Sequence, residues 1–182
     1  MGAAFGDTLA KAQAGDEAAF ASIFREVQPS LLRYLRMITP DPEDVAGDTW
    51  VQVVAGLEGF RGEEQAFRAW LFTIARHRAV DAGRSRTRRP AVPLEMSEVA
   101  EQLTSPDTAD LALEAVSSRA AVALIATLPR EQAEIIMLRV VAGLDNADVA
   151  QIVRKTPGAV RVAAHRGLRR LAGQAERTGV TQ

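Results

Sequence analysis

Apolar residues recur at three- and four-residue spacing along most of the chain, and no stretch sustains the alternation of a half-buried strand. The pattern predicts an all-α protein. Asp16 is placed to cap a first helix whose inner face carries Phe20, Ile23, Phe24 and Val27. Pro29 lacks an amide donor and is expected to bend or interrupt that helix before Leu31, Leu32, Leu35 and Ile38 resume the stripe. The next start is Thr39-Pro40-Asp41-Pro42-Glu43-Asp44, with Asp41 as N-cap, Pro42 in the first turn and two acids at the positive end of the dipole. The helix it opens buries Val45, Thr49 or Trp50, Val53 and Leu57, and leaves Asp48 and Gln52 on the opposite face. Two glycines and a charge cluster make Glu58 to Gln65 a loop. A third long helix follows, with Phe67, Trp70, Leu71 and Ile74 inside and Arg68, Arg76, His77 and Arg78 outside. It is expected to end near Ala82-Gly83 in a frayed basic tail.

Three prolines, several acids and few large apolar residues between Pro90 and Asp107 predict a flexible acidic linker. A second domain begins near Thr108, where Leu111, Leu113, Val116, Val122, Leu124 and Ile125 lead to Leu128-Pro129. A helix from Glu131 to Val141 runs through Ile135, Ile136 and Leu138 until Gly143 stops it. Asp145 or Asn146 caps a short helix through Val149, Ile152 and Val153, and Arg154-Lys155 makes a turn. Thr156 and Pro157 then open a last helix with Val160, Ala164, Leu168 and Leu171 at core spacing. A short helix, a tight turn and a capped basic helix make a helix-turn-helix, whose second helix enters the major groove. Arg161, His165, Arg166, Arg169 and Arg170 are placed to reach phosphates or base edges. The chain thus divides into two small helical domains, 1–89 and 108–182, joined by a linker over 90–107.

Charge sharpens this division. The net charge is only −1, against the basic excess usual for a DNA binder. The average hides segregation: Arg61 to Arg89 holds eight arginines against three acids, Pro90 to Ser118 has six acids and no base, and Arg154 to Ala175 has six bases and no acid. Two basic blocks separated by an acidic stretch suggest two contacts with a polyanion. The chain has no cysteine, which excludes disulfides, a thiolate zinc site and a cysteine nucleophile. His77 and His165 have no ligand-spaced partner, so no metal is expected. No glycine-rich phosphate loop or nucleophile with a base is visible, so neither a catalytic residue nor a cofactor is expected. No apolar run is long enough to span a bilayer and no secretion signal opens the chain, so the expected location is cytoplasmic. On periodicity alone Phe67, Trp70 and Ile74 read as core, and Asp48 and Gln52 as an ordinary exposed face.

Taken in order, these residues resemble the extracytoplasmic-function (group IV) sigma factors of the sigma-70-type family. Asp41-Pro42-Glu43-Asp44-Val45 through Asp48-Thr49-Trp50 is similar to that family's polymerase-docking helix. Phe67 to Arg76 with Val80-Asp81 resembles its promoter-melting segment. Leu128-Pro129, Leu138-Arg139, Gly143-Leu144, Val149-Ala150, Gly158 to Arg161 and His165-Arg166 resemble its second DNA-binding domain. The resemblance implies a non-catalytic initiation subunit that binds core RNA polymerase through its beta and beta-prime subunits, with Asp44, Asp48 and Gln52 as contacts. Phe60, Arg61, Arg68, Trp70, Arg76, His77 and Arg84 would take the minus-ten element as an opened strand. Thr156, Pro157, Arg161, His165, Arg166 and Arg169 would read the minus-thirty-five element as duplex. An anti-sigma factor would be a further partner. The sequence departs from the pattern at His77, where many relatives have Asn, at Val162 and Ala163, which supply no base-edge donors, and at Arg154-Lys155, which replace the usual glycine and apolar residue of the turn. The alternative reading of the residues is an autonomous helix-turn-helix regulator, which would bind duplex DNA without polymerase.

Overall fold

The computed structural model describes residues 2–88 and 120–177, and every regular element among them is helical. The expected linker over 90–107 and the apolar positions Leu111, Leu113 and Val116 lie outside the described residues.

The chain opens with a helix the apolar pattern did not lead us to expect, α1 (Gly2–Gln13), which buries Phe5, Leu9 and Ala12 at four- and three-residue spacing. Asp16 then caps α2 (Glu17–Ile38) as expected, its carboxylate accepting from the Ala19 amide at 3.0 Å. Pro29 does not interrupt α2, which runs through it. The reason is positional. Pro29 lies on the exposed side, while Val27, Leu31 and Leu35 keep one fully buried stripe on the other side.

Asp41 occupies the N-cap position of α3 (Pro42–Leu57), but its side chain makes no capping bond. Its carboxylate pairs instead with Arg86, and the Asp41 amide donates to the Thr39 hydroxyl at 3.3 Å. Thr49 and Trp50 are both buried on α3, together with Val45, Val53 and Leu57. The loop after α3 is shorter than expected, because α4 (Glu64–Arg88) starts three residues before Phe67. Nor does α4 stop at Gly83. A single glycine costs about 1 kcal/mol in a helix, and no proline intervenes before Pro90.

The second half comprises α5 over 120–126, α6 (Arg130–Ile136), α7 (Asn146–Val153) and α8 (Pro157–Arg177). The expected single helix from Glu131 to Val141 turns π-helical over Met137–Val141, where the Ala142 amide reaches back five residues to the Met137 carbonyl at 3.0 Å. Four consecutive residues, Ile135 to Leu138, are fully buried because α8 covers one side of this segment and α2 the other. Gly143 ends the segment at φ +71°, and Asp145 caps α7 by accepting from the Ala147 and Asp148 amides at 2.7 and 2.8 Å. Leu168 is not core: it is 51% exposed. The buried line of α8 is Val160, Ala163 and Gly167, and a Cβ on Gly167 would come within 2.5 Å of Ile136 Cδ1. The absent side chain lets α8 settle onto α6.

The halves touch. α7 packs on α4, α2 packs on α6 and the π-turn, and buried side chains from both halves join one cluster.

Candidate nucleic-acid interfaces

Two surfaces carry the residues singled out from the sequence. The first is built on α3, the loop after it and α4. Asp44, Asp48 and Gln52 are exposed on α3, on the face opposite Val45, Thr49 and Val53, alongside Val51 (71% exposed) and Val54 (56%). Gln52 is not wholly free, since its Oε1 accepts from Arg78 Nε at 2.9 Å.

The loop is held by an aromatic stack. Phe60 lies on Trp70 with centroids 5.0 Å apart and 26° between planes, and meets Phe67 edge-on at 5.7 Å. Gln13 Nε2, from α1, donates to the Leu57 and Phe60 carbonyls at 3.0 and 2.8 Å and fixes the loop from below. The rings of Phe5, Phe60, Phe67 and Trp70 form one cluster, in which Phe67 and Phe5 are buried whereas Phe60 and Trp70 are partly buried. Phe67 and Ile74 are core, while Phe60 and Trp70 are partly buried against it.

The cations of this surface are engaged within the chain. Arg61 donates to the Glu58 and Phe60 carbonyls, both at 2.7 Å. Arg68 pairs with Glu26 at 2.6 Å and Glu64 at 3.1 Å, Arg76 with Glu134 at 2.7 Å, and Arg84 loosely with Asp81 at 3.7 Å. His77 is exposed. The structure therefore adds partners that the helical period did not bring out: Gln13, Glu26, Tyr34 and Glu134. Of these, Tyr34 lies between Leu31 and Leu35 on the buried stripe of α2 and was open to discovery from spacing.

The second surface is α8. Thr156 Oγ1 accepts from the Ala159 amide at 3.2 Å, which makes it the N-cap, and Pro157 occupies the first helical turn. Arg161, His165, Arg166 and Arg169 are all exposed on successive turns, and no acid pairs with them among the described residues. Val162 is exposed, but Ala163 faces the core and cannot reach DNA. The turn before α8 places Arg154 at φ 57°, ψ 51°, the left-handed region, where a non-glycine residue is disfavoured.

Among the described residues no cluster of three potential metal ligands is present and no helix is long and apolar enough to cross a membrane.

The Sigma-70 region 2 family matches residues 23–89, and the Sigma-70, region 4 family matches residues 118–171. The chain is 36% identical over 172 residues to the ECF RNA polymerase sigma factor SigD of Mycobacterium tuberculosis, a match that spans 90% of this chain and 80% of that one. It is 36% identical over 185 residues to the ECF RNA polymerase sigma factor ShbA of Streptomyces griseus, spanning 94% and 95%. Its fold is similar to that of CnrH in complex with the cytosolic domain of CnrY (TM-score 0.57, 22% identity, 93% and 95% of the two chains). It is also similar to that of the Bartonella quintana sigma factor RpoE in complex with the anti-sigma factor NepR (TM-score 0.58, 23% identity, 90% and 98%).

Proposed function

This chain belongs to the ECF RNA polymerase sigma factors of the sigma-70 type, and from that premise we propose how its surfaces divide the work of promoter-specific initiation. Sigma factors are not known as enzymes, and we propose that this one is a non-catalytic initiation subunit acting in the cytoplasm. Its domains are taken as 1–89 and 108–182, with 90–107 between them. Asp44, Asp48 and Gln52, on the exposed face of α3, would dock on core polymerase through its beta and beta-prime subunits. The support is an acidic face bearing the exposed valines Val51 and Val54.

The surface of Phe60, Arg61, Arg68, Trp70, Arg76, His77 and Arg84 would hold the minus-ten element as an opened strand. A flipped base needs a ring or apolar face to stack on and cations near its phosphates, and the partly buried Phe60–Trp70 stack with arginines around it supplies both. Thr156, Pro157, Arg161, His165, Arg166 and Arg169 would engage the minus-thirty-five duplex, with Arg161 and Arg166 carrying base-edge contacts because Val162 and the buried Ala163 supply none. The structurally similar sigma factor RpoE is in complex with the anti-sigma factor NepR, and CnrH with the cytosolic domain of CnrY, and we propose an anti-sigma factor as a partner here too.

The observation that carries this reading is the ordered pair of family matches on one chain. The test is in vitro transcription with matched core polymerase on promoters from the source genome. Defined transcripts are expected only when the protein is added, and Arg161→Ala should abolish them. Absence of transcripts, together with tight duplex binding by the chain alone, would favour an autonomous regulator.

A further inference from the structure

The helix α1 lies before the stretch 23–89 that the Sigma-70 region 2 family matches, yet it reaches the loop assigned to the minus-ten strand. The side-chain amide of Gln13 makes the contact. Its Nε2 carries two protons and uses both, one on the Leu57 carbonyl at 3.0 Å and one on the Phe60 carbonyl at 2.8 Å. Both partners are acceptors, so only a donor serves at this position. The Leu57 carbonyl also accepts the Phe60 amide at 3.1 Å, and the Phe60 carbonyl also accepts Arg61 Nη1 at 2.7 Å. Gln13 therefore ties together the two ends of the turn over 57–60. That turn stands at the C-terminal end of α3, where helix carbonyls run out of intrahelical partners.

A side chain can position another only if its own base is rigid. Gln13 ends α1, and the corner after it is fixed twice. Gly15, at φ +90°, donates to the Ala12 carbonyl at 3.1 Å while the Asp16 amide donates to the Lys11 carbonyl at 3.0 Å, the pair of bonds that closes a helix on a left-handed glycine. Asp16 then caps α2 at once. α1 is seated by Phe5, Leu9 and Ala12, all buried, with the Phe5 ring 5.6 Å from that of Phe67. On the far side of the loop a Cβ on Gly62 would come within 2.8 Å of Ala66 Cβ and 3.1 Å of Phe60 Cζ. The Phe60 backbone is thus pinned from α1, and its ring sits against Trp70 and Gly62.

We propose that Gln13 is a positioning residue for minus-ten recognition: by holding the Leu57 and Phe60 carbonyls it sets the Phe60 ring on Trp70 at the place where an unstacked promoter base is received. This deepens, and rests on, the assignment of Phe60 and Trp70 to the minus-ten strand made above.

The test uses holoenzyme reconstituted with matched core polymerase and a forked promoter DNA whose minus-ten segment is single-stranded. Gln13→Met keeps the length and loses both donors, and Gln13→Glu keeps the shape and offers only acceptors. Both should lower affinity for the fork about fivefold or more, with affinity for core polymerase and helical circular dichroism unchanged. Exchanging the base at each minus-ten position in turn gives the finer readout: Gln13→Met and Phe60→Ala should lose preference at the same position and at no other. In the Phe60→Ala background, Gln13→Met should then add less than about twofold. Unchanged fork affinity in both Gln13 variants, where Phe60→Ala does lose affinity, overturns the proposal and leaves the assignment of the loop standing. So does a loss that adds in full to that of Phe60→Ala, or one that falls evenly on every minus-ten position. An inert Phe60→Ala overturns the assignment of the loop itself, and Gln13 then has nothing to position.

Discussion

On α4, Arg68 lies between Glu26 and Glu64 at 2.6 and 3.1 Å, Arg76 sits on Glu134 at 2.7 Å and Arg84 is within 3.7 Å of Asp81. On α8, Arg161, Arg166 and Arg169 reach into solvent with no acidic partner among the described residues. Along the sequence both helices are basic. In space one surface is largely neutralised and the other is bare. The acids that make the difference are remote, Glu26 lying on α2 and Glu134 on α6, so counting charges along a helix says little about the potential outside it. The bare surface can attract duplex DNA from a distance, whereas the neutralised one gains cations only as its internal pairs exchange for phosphates.

The largest effect should come from the platform of the neutralised surface. Phe67 is fully buried against Phe5, Phe60 and Trp70, and Phe67→Ala should cost about 3–5 kcal/mol in a chemical denaturation series; a cost under about 1 kcal/mol would mean the aromatic cluster does not hold α4. Next, Arg76→Ala leaves the mostly buried Glu134 without its cation and should destabilise by about 1–3 kcal/mol, while Arg166→Ala should stay within about 0.5 kcal/mol. Equal losses in the two variants would erase the contrast between the surfaces. The same contrast appears in salt. For duplex binding by the free chain, Arg161→Ala should lower the slope of log K against log salt by about one, and Arg68→Ala should leave the slope alone.

A smaller effect tests the turn that presents α8. Arg154 adopts φ 57°, and Arg154→Gly should raise stability by about 0.5–1 kcal/mol, the relief of a left-handed residue less the entropy of glycine. A loss of stability instead would show that the Arg154 side chain supports the fold. The last effect is absent at neutral pH. Burial first, and then the Glu134 charge, pushes the Tyr34 hydroxyl well above its usual range. Because the folded chain holds this proton more tightly than the unfolded chain, stability should be flat below about pH 10, the unfolded tyrosine's value, and fall as pH rises above it. Tyr34 is the one tyrosine in the chain, so its tyrosinate absorbance reports the shift directly, and Tyr34→Phe should remove that part of the alkaline loss.

Much of the fold was legible because helical spacing is a local property. The buried faces Val45-Val53-Leu57 and Phe67-Leu71-Ile74, the cap at Asp16 and the stop at Gly143 followed from residues a few positions apart. Expectations failed where a distant residue decided the outcome. Asp41 turned from capping to Arg86, Pro29 was carried by the buried stripe on either side of it, and Leu168 lost its place in the core because Gly167, one position earlier, lets α8 approach Ile136. The candidate site divides the same way. The exposure of Asp48, Arg161 and Arg166 was readable from helix faces, and the pairing of Arg68 and Arg76 was not.

By itself the sequence determined an all-helical chain of two units, each with a basic block, its helix-turn-helix and its family, because spacing, caps and motifs act over a few residues. Only the tertiary structure decided that the halves meet, that Phe60 stacks on Trp70, and that one arginine helix is neutralised while the other is free. Those outcomes depend on which side chains arrive at the same place from remote segments, and coulombic and packing energies act across that short distance in space, whatever the separation along the chain.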